Sequence, residues 1–297
     1  MLLVWVLASI AAVCAIWGVF VERHLYAIRY QDVAILPPGS KAIRVLHFGD
    51  LHLAPWQRRK MRWLGGLAET VKPDLVIDTG DNLGHRDAVA QVLEATGPLR
   101  RLPGAFVNGS NDYRAPGLTN PFTYFSAPTN ARNTAELDTE GLVAGLGEFG
   151  WLNLNNSAGV LTINGTRVGL VGLDDEHIGR AHLGGLPASA AGLGTVDALI
   201  GVTHAPYRDA IEAMGSVGVE LILAGHTHGG QVCLPAVGAL VTNCDLPTNQ
   251  AKGLSVQKVG RRPLLLNVVA GLGTSIYAPV RFFCRPEVRV LNLVARD

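Results

Sequence analysis

The most apolar part of the chain is its N-terminal stretch. From Leu2 to Val21 there is no charged residue, and only Ser9 carries a polar side chain. At roughly 1.5 Å of rise per residue, about 20 helical residues reach about 30 Å, the hydrocarbon thickness of a bilayer. The pattern therefore predicts a transmembrane anchor over residues 1–22. The alternatives are a buried core helix and a cleaved signal peptide, which would need a basic start and a shorter apolar run.

Basic residues follow the apolar run and set the expected orientation. They are Arg23, Arg29, Lys41 and Arg44. The positive-inside rule keeps such a side of the membrane cytoplasmic, so we expect a single-pass protein of the cell membrane with a cytoplasmic C-terminal domain. A domain that faces the envelope behind an N-terminal signal anchor is the alternative.

Residues 23–42 are predicted to form a connector, because Pro37 and Pro38 cannot lie inside a helix and favour extended backbone. A domain over residues 43–297 follows, in which short apolar runs alternate with stretches of helical pattern. The predicted strands are 43–48, 75–77, 105–107, 168–171, 198–202 and 221–223, and the predicted helices lie near 57–70 and 87–95. Asn164-Gly165, between two strand-like segments, is typical of a two-residue hairpin turn. This alternation predicts an α/β fold with a layered sheet.

Composition excludes several classes of protein. The 297 residues are 48% hydrophobic and only 16% charged, which argues against disorder and against a coiled coil. The 25 basic and 24 acidic residues give a net charge of +1, so no nucleic-acid partner is expected. Four cysteines without a CxxC pair indicate neither a disulfide framework nor a thiolate zinc site.

Polar residues capable of metal binding follow the predicted strands. They are Asp50, His52, Asp81, Asn111, His204, His226 and His228. In open α/β sheets the carboxyl edge of the strands is where ligands bind, so residues distant in sequence can converge there. Carboxylate, imidazole and amide donors without thiolate suit manganese, iron, zinc or cobalt. A carboxylate that bridges two such ions, about 3.5 to 4 Å apart, supports water activation and in-line phosphoryl displacement, which predicts phosphoester hydrolysis.

The ordered series Asp50-x-His52, Gly80-Asp81, Gly109-x-Asn111-Asp112, His204 and Gly225-His226-x-His228 resembles the calcineurin-like metallophosphoesterase family. The run from Gly225 to Gln231 is similar to its bacterial, often membrane-associated phosphodiesterase branch. The resemblance implies a four-layer αββα sandwich behind the one N-terminal transmembrane helix. It also implies one metal ion on Asp50, His52, Asp81 and His228, and a second on Asp81, Asn111, His204 and His226.

One stretch departs from the family pattern. The family usually has Gly-Asn-His followed by an acidic residue, with the asparagine as a ligand and the histidine assisting the leaving group. Here the stretch is Gly109-Ser110-Asn111-Asp112, and a gapless alignment places Ser110 at the ligand position. We favour Asn111 as the ligand, because a neutral hydroxyl is a poorer donor than an amide oxygen. The catalytic histidine is then missing, and Asp112, His85 or no residue at all replaces it.

The remaining candidates concern substrate and membrane. Arg281, after a glycine-rich stretch, is predicted to clamp a phosphate oxygen, with a structural ion pair as the alternative. His177 either approaches the cleft or lies in a surface turn. The basic cluster Arg58, Arg59, Lys60 and Arg62 either meets anionic headgroups or is a solvated face.

The anchor favours a lipid-linked phosphate, pyrophosphate or envelope precursor as the substrate of this predicted dinuclear phosphoesterase. A soluble nucleotide or cyclic nucleotide is the second hypothesis for the substrate. A non-catalytic scaffold that keeps the fold is the hypothesis from a different functional class.

Overall fold

The computed structural model describes residues 1–115, 117, 135–260, 262–274 and 277–296. Within them the helices are α1 Leu2–Ile16, α2 Arg58–Gly65, α3 Leu67–Val71, α4 Val89–Arg100, α5 Ser110–Tyr113, α6 Thr139–Gly147, α7 Leu186–Ala191 and α8 Arg208–Ser216. The strands are β1 Ala27–Leu36, β2 Ile43–Phe48, β3 Leu75–Asp78, β4 Gly104–Phe106, β5 Leu152–Asn153, β6 Ala158–Ile163, β7 Thr166–Gly172, β8 Ala198–Val202, β9 Leu221–Ala224, β10 Cys233–Leu234, β11 Gly238–Ala239, β12 Gly253–Val259, β13 Arg262–Val268 and β14 Glu287–Ala295.

The described strands form two six-stranded sheets and one small hairpin. The first sheet has the order β1-β14-β2-β3-β4-β5, and β2 to β5 run parallel. The second sheet has the order β12-β13-β9-β8-β7-β6, and β7, β8, β9 and β13 run parallel. Strands β10 and β11 form the hairpin. The carboxyl ends of the parallel strands in each sheet are thus collected at one edge.

The two sheets pack face to face, because residues of strands in both have apolar side chains toward the middle. Val45 and Ile77 of the first sheet share a core with Val168 and Ile200 of the second. Leu46 and Phe48 point to the opposite face of β2, as the period of two requires, and pack against α2, α4 and α6. Helix α8 covers the outer face of the second sheet. The predicted four-layer αββα sandwich is confirmed.

Several predicted elements coincide with the observed ones. The strands over 43–48 and 198–202 have the predicted bounds. The predicted hairpin is β6–β7, and its turn residues Asn164 and Gly165 have φ values of 53° and 89°, as a type I′ turn requires.

The segment predicted as a connector contains a strand of the domain. The ten residues of β1 pair in parallel with β14 along the first sheet, from Ala27 with Glu287 onward. Val33, Ile35 and Leu36 are buried between the sheets. The sheet therefore includes residues before 43, and of the predicted connector, residues 25–26 and 37–42 remain outside regular structure.

The N-terminal helix is continuous from Leu2 to His24, 23 residues, and is long and apolar enough to cross a membrane. Its last turns narrow from a π-helix over Trp17–Val21 to a 3₁₀ turn over Glu22–His24. Only 6% of its most apolar window is buried within the protein, unlike the core helix of a soluble domain. The alternative of a buried core helix does not fit this exposure.

Candidate dinuclear metal centre

The predicted metal ligands converge at the carboxyl edge of both sheets. Asp50 follows β2 and Asp81 follows β3 in the first sheet, while His204 follows β8 and His226 follows β9 in the second. The backbone N–H of His226 donates to the Asp50 carboxylate at 3.1 Å, which ties the two sheets together at this edge. The sequence therefore brings four separate loops to one place through the positions of the strands that precede them.

The loops that carry these residues are held in left-handed backbone conformation. Asp50, His52, Asp81, His226 and His228 have φ values between 39° and 70°. Such values are uncommon for residues other than glycine and are typical of sites where strain serves function. Gly109 supports the arrangement, because a Cβ atom there would overlap the Asp81 carboxylate.

The first group of donors surrounds one point. Ligand atoms of Asp50, His52, Asp81 and His228 lie within 4.8 Å of one another. The Nε2 atoms of His52 and His228 face each other at 3.0 Å, so at least one of them presents a lone pair. Burial lowers the pKa of His52 to about 4, which keeps its ring in the neutral, ligating form.

The second group lies on the other side of Asp81. One Asp81 oxygen is 3.4 Å from His52 Nε2, and the other is 3.5 Å from His204 Nε2. His204 Nδ1 donates to the carbonyl of Thr79 at 2.7 Å, which leaves Nε2 as the atom able to ligate; it is buried and without a hydrogen-bond partner among the described residues. A buried ring nitrogen that faces a carboxylate fits a cation site, in which the bound cation would take the place of a proton on Nε2.

His226 has its tautomer fixed in the same way. Its Nε2 donates to the carbonyl of Asn243 at 3.0 Å, so Nδ1 is left with the lone pair. Its ring lies 5.2 Å from that of His204, centroid to centroid. Burial and the charges of His204 and His177 lower the pKa of His226 to about 3, so the ring stays neutral.

The carboxylates have opposite electrostatic environments. Burial raises the pKa of Asp50 to about 7. Burial acts in the same direction on Asp81, but His204, His52 and the hydrogen bonds from Asn111 outweigh it and hold the pKa of Asp81 well below its usual range. Burial alone would lower the pKa of His204, but the nearby carboxylates, that of Asp81 first, raise it to about 9. Asp81 is therefore the anionic centre of the cluster.

Asn111 lies against the shared carboxylate. Its backbone N–H donates to Asp81 Oδ1 at 2.8 Å, and its side-chain amide contacts Asp81 Oδ2 at 2.7 Å. The nitrogen and oxygen of such an amide are assigned from the hydrogen-bond network, and rotation of the group would present the oxygen at the same place. The Ser110 hydroxyl is 3.5 Å from the Asn111 amide.

Asp112 has a different position from the one predicted for a catalytic acid. The side chain is completely buried, and its Oδ2 accepts the backbone N–H groups of Asp81 and Gly109 at 2.9 and 3.0 Å. Its Oδ1 accepts those of Asn82 and Leu83. Both oxygens thus accept backbone N–H groups, by which the residue holds together the loops after β3 and β4, and its catalytic role stays a prediction.

Arg281 is also buried completely, a position that favours a structural role, and the clamp on substrate phosphate stays a prediction. Its guanidinium donates to the backbone carbonyls of Gly273, Ala270 and His228 at 2.6, 2.8 and 2.7 Å. The predicted structural alternative, an ion pair, is replaced by a set of carbonyl acceptors. Arg281 therefore supports the loop that carries His228 from behind.

His85 lies on the loop after Asp81 and is partly exposed. Its ring meets the edge of Trp56 at 5.4 Å, and its Nδ1 accepts the backbone N–H of Asp87 at 3.2 Å. These contacts place it beside Trp56 and leave its catalytic role a prediction.

Two further rings lie at the site, that of His177, for which the sequence left two alternatives, and that of Tyr207, which no sequence pattern singled out. His177 lies 4.6 Å from the His226 ring, and its Nδ1 is 2.8 Å from the hydroxyl of Tyr207. Of the two alternatives for His177, the structure therefore supports an approach to the cleft. Both residues follow strands of the second sheet, β7 and β8, and that position is the signal that could have found them.

Comparison with known proteins identifies the family. The sequence profile of the calcineurin-like phosphoesterases matches residues 43–230, a range that contains every predicted metal ligand described above. The chain belongs to this family. As a calcineurin-like phosphoesterase with this donor cluster, the protein is a metal-dependent phosphoesterase with a dinuclear type of site, which confirms the predicted family and enzyme class.

Three relatives show how far the likeness extends. Metallophosphoesterase YkuE of Bacillus subtilis (strain 168) is 25% identical over 282 residues, 92% of this chain and 87% of YkuE. A Bos taurus transmembrane protein with a metallophosphoesterase domain is 27% identical over 244 residues, 79% of this chain but only 51% of that protein. Phosphodiesterase YaeI of Escherichia coli (strain K12) is 34% identical over 141 residues, 48% of this chain and 47% of YaeI.

Proposed function

We propose that this phosphoesterase is anchored in a membrane and hydrolyses a phosphodiester, phosphomonoester or pyrophosphate bond in a lipid-linked substrate or envelope precursor. The observation that carries the hydrolytic part is the facing pair of His52 and His228 beside the shared carboxylate of Asp81. The exposed apolar helix Leu2–His24 supports the anchor. The cytoplasmic orientation follows from the basic residues after that helix.

The donors divide into two sets that share Asp81. Asp50, His52 and His228 would complete the first ion site, and the second would take Asn111, His204 and His226. Carboxylate, amide and imidazole donors suit manganese, iron, zinc or cobalt. Bound dications would also make the cleft locally positive, which attracts an anionic phosphoester without a basic chain.

Two ions held there would lower the pKa of a water and neutralise charge on the phosphoryl oxygens. The residues of the chain fix the geometry that this chemistry needs. The carbonyls of Thr79 and Asn243 hold the His204 and His226 rings in their ligating tautomers. Burial of the cluster strengthens electrostatic interactions with the transferred phosphoryl group.

The test measures bound metal and hydrolysis of bis-p-nitrophenyl phosphate by the full-length protein. Wild type should hold divalent ions and turn over the diester. Asp81→Ala should lose both ions and at least about a hundredfold in rate, because the carboxylate serves both sites. Asp32→Ala, at an exposed position on β1, is the control for loss of an aspartate and should behave as wild type. Wild-type protein without metal and without turnover in manganese, iron, zinc and cobalt would overturn the proposal.

A further inference from the structure

We propose that the folded domain itself docks on the lipid bilayer that its N-terminal helix enters, and that the docking surface lies beside the metal centre. The surface consists of an apolar rim, Leu234, Val237 and Phe283, and the basic residues Arg23 and Arg59. This proposal rests on the membrane anchor in the proposed function. It adds that the domain has a fixed orientation relative to the bilayer. The occupant of this surface is the headgroup region of an anionic bilayer.

The end of the helix is built into the domain. The carbonyl of Gly18 accepts the backbone N–H of Arg281 at 3.1 Å. Gly18 is buried there, and a Cβ atom would lie 2.9 Å from the Arg281 carbonyl oxygen. The buried carboxylate of Glu22 accepts the backbone N–H groups of Phe283 and Cys284 at 3.0 and 2.7 Å. A flexible tether would leave these groups solvated, so the helix leaves the domain in a fixed direction.

The same loop supports the metal centre. Arg281 donates through its backbone N–H to the carbonyl of Gly18 and through its guanidinium to the carbonyl of His228, the latter at 2.7 Å. One residue therefore connects the last turns of the helix to a proposed metal ligand. A phosphoester at headgroup depth would lie close to the hydrolytic site without leaving the bilayer.

Exposed apolar side chains continue from this loop. Phe283, next to the residue that pairs with Cys233 at the start of β10, is 57% exposed. The β10–β11 hairpin extends from that point and exposes Leu234 and, at its turn, Val237, which is 70% exposed. Exposure of such an apolar hairpin tip to water is unfavourable in free energy, whereas its burial in the interface of a bilayer beside a membrane-spanning helix is favourable.

Positive charge lies at the same end of the helix. Tyr26, two residues past the helix, lies within electrostatic range of both Arg23 and Arg59, and its ring packs 5.2 Å from that of Trp63. Arg59 is an exposed residue of the predicted basic cluster on α2. Basic side chains near a membrane surface attract anionic lipids. The charge of this surface therefore matches an anionic bilayer.

The depth of the hairpin tip tests the docking without any assay of activity. The full-length protein with Cys14→Ala and Cys244→Ala, which removes the two partly exposed thiols, receives an environment-sensitive fluorophore at Val237→Cys. A second sample carries it at Val256→Cys. Val256 is also an exposed valine, at 58%, but it pairs with Leu265 beside Leu221, at the start of β9 and away from the carboxyl edge.

In phosphatidylcholine–phosphatidylglycerol vesicles that contain a lipid with a shallow spin label, the fluorophore at position 237 should be quenched and that at 256 should not. Equal exposure of both labels to aqueous iodide would overturn the proposal. So would shielding at 237 that depends on protein concentration and persists in detergent, because that result would identify a second copy of the chain as the occupant.

Activity then separates this proposal from the proposed function. Val237→Asp with Phe283→Asp should lower hydrolysis of a phospholipid in vesicles about tenfold, the equivalent of roughly 1.4 kcal/mol of lost binding, and leave hydrolysis of soluble bis-p-nitrophenyl phosphate unchanged. Val256→Asp should change neither. Equal loss on both substrates, or loss on neither, contradicts the docking. Absence of any turnover contradicts the proposed function alone, since the fluorophore at 237 still reports the depth.

Discussion

Asp112 holds Asp81 in place through the backbone, because its Oδ2 accepts the Asp81 N–H at 2.9 Å while the Asp81 side chain faces His52 and His204. The same carboxylate accepts the N–H of Gly109, in the loop after β4. The position of the Asp81 carboxylate is therefore fixed by the buried carboxylate of Asp112, which contacts the Asp81 backbone. A carboxylate close to a metal site can thus orient the backbone of the loops that carry the ligands.

Asp112→Asn should destabilise the protein. The amide nitrogen of the substituted side chain would replace an acceptor oxygen that now receives two backbone N–H groups, so we expect a loss of about 3 kcal/mol in the free energy of unfolding and weaker metal retention. Urea denaturation and metal analysis measure both. Asp138→Asn is the control, since Asp138 caps α6 by accepting one N–H and asparagine caps a helix about as well as aspartate, so this substitution should cost less than about 1 kcal/mol. Unchanged stability with a selective loss of turnover would restore Asp112 as a catalytic acid.

Arg281→Met should act on stability and metal retention, because the carbonyls of Gly273, Ala270 and His228 would lose their buried donor. We expect a cost of about 3 kcal/mol or more in chemical denaturation. Arg285→Met is the control, since the exposed Arg285 also donates to a backbone carbonyl, that of Leu25. A raised KM for the soluble diester at unchanged stability would instead support the phosphate clamp predicted from the sequence.

The sequence predicts the strands that are buried on both faces. Residues 43–48 and 198–202 are short apolar runs that end in polar loops, as expected in parallel sheets covered by other layers. Strand β1 was missed because its exposed middle, Arg29 to Asp32, interrupts the apolar pattern. Its place in the sheet depends on pairing with β14, which is more than two hundred residues away in sequence and gives no local signal.

The candidate site divides in a similar way. Metal donors could be predicted because carboxylate and imidazole side chains at strand ends have few other uses so close together. The roles of Arg281 and Asp112 could not be predicted. The sequence does not distinguish a charged residue that binds backbone groups from one that contacts substrate. The contact of His177 with His226 depends on the packing of loops from β7 and β9, which the local pattern does not contain.

The choice between Ser110 and Asn111 as ligand gives a direct test. Asn111 contacts the Asp81 carboxylate at 2.7 Å, so Asn111→Ala should empty the second metal position and leave the first filled. Ser110→Ala should retain both ions, because only a 3.5 Å contact with the Asn111 amide is lost. Metal stoichiometry of the purified variants measures the difference. Equal loss of metal from both variants would overturn the alignment that favours Asn111.

His47 should make the protein sensitive to acid through the interface between the sheets. Its Nδ1 accepts from the Asn267 amide on β13 at 2.9 Å, and its Nε2 is 3.3 Å from the Thr79 hydroxyl. Burial, with a smaller contribution from Arg289, lowers the pKa of His47 to about 3 in the folded protein. In the unfolded chain the pKa of a histidine is about 6.5.

Between pH 6.5 and 3 the unfolded state therefore binds a proton at this position that the folded state does not, so stability is lost as the pH falls. Relative to His47→Gln, the wild type should lose up to about 1.4 kcal/mol per pH unit in that window and nothing above it. Urea unfolding in chelator at several pH values from about 7.5, above this window, to about 4.5, within it, measures the difference between the two proteins. His182→Gln, at an exposed position, is the control for loss of a histidine. Parallel profiles of wild type and His47→Gln would show that His47 is not kept neutral between the sheets.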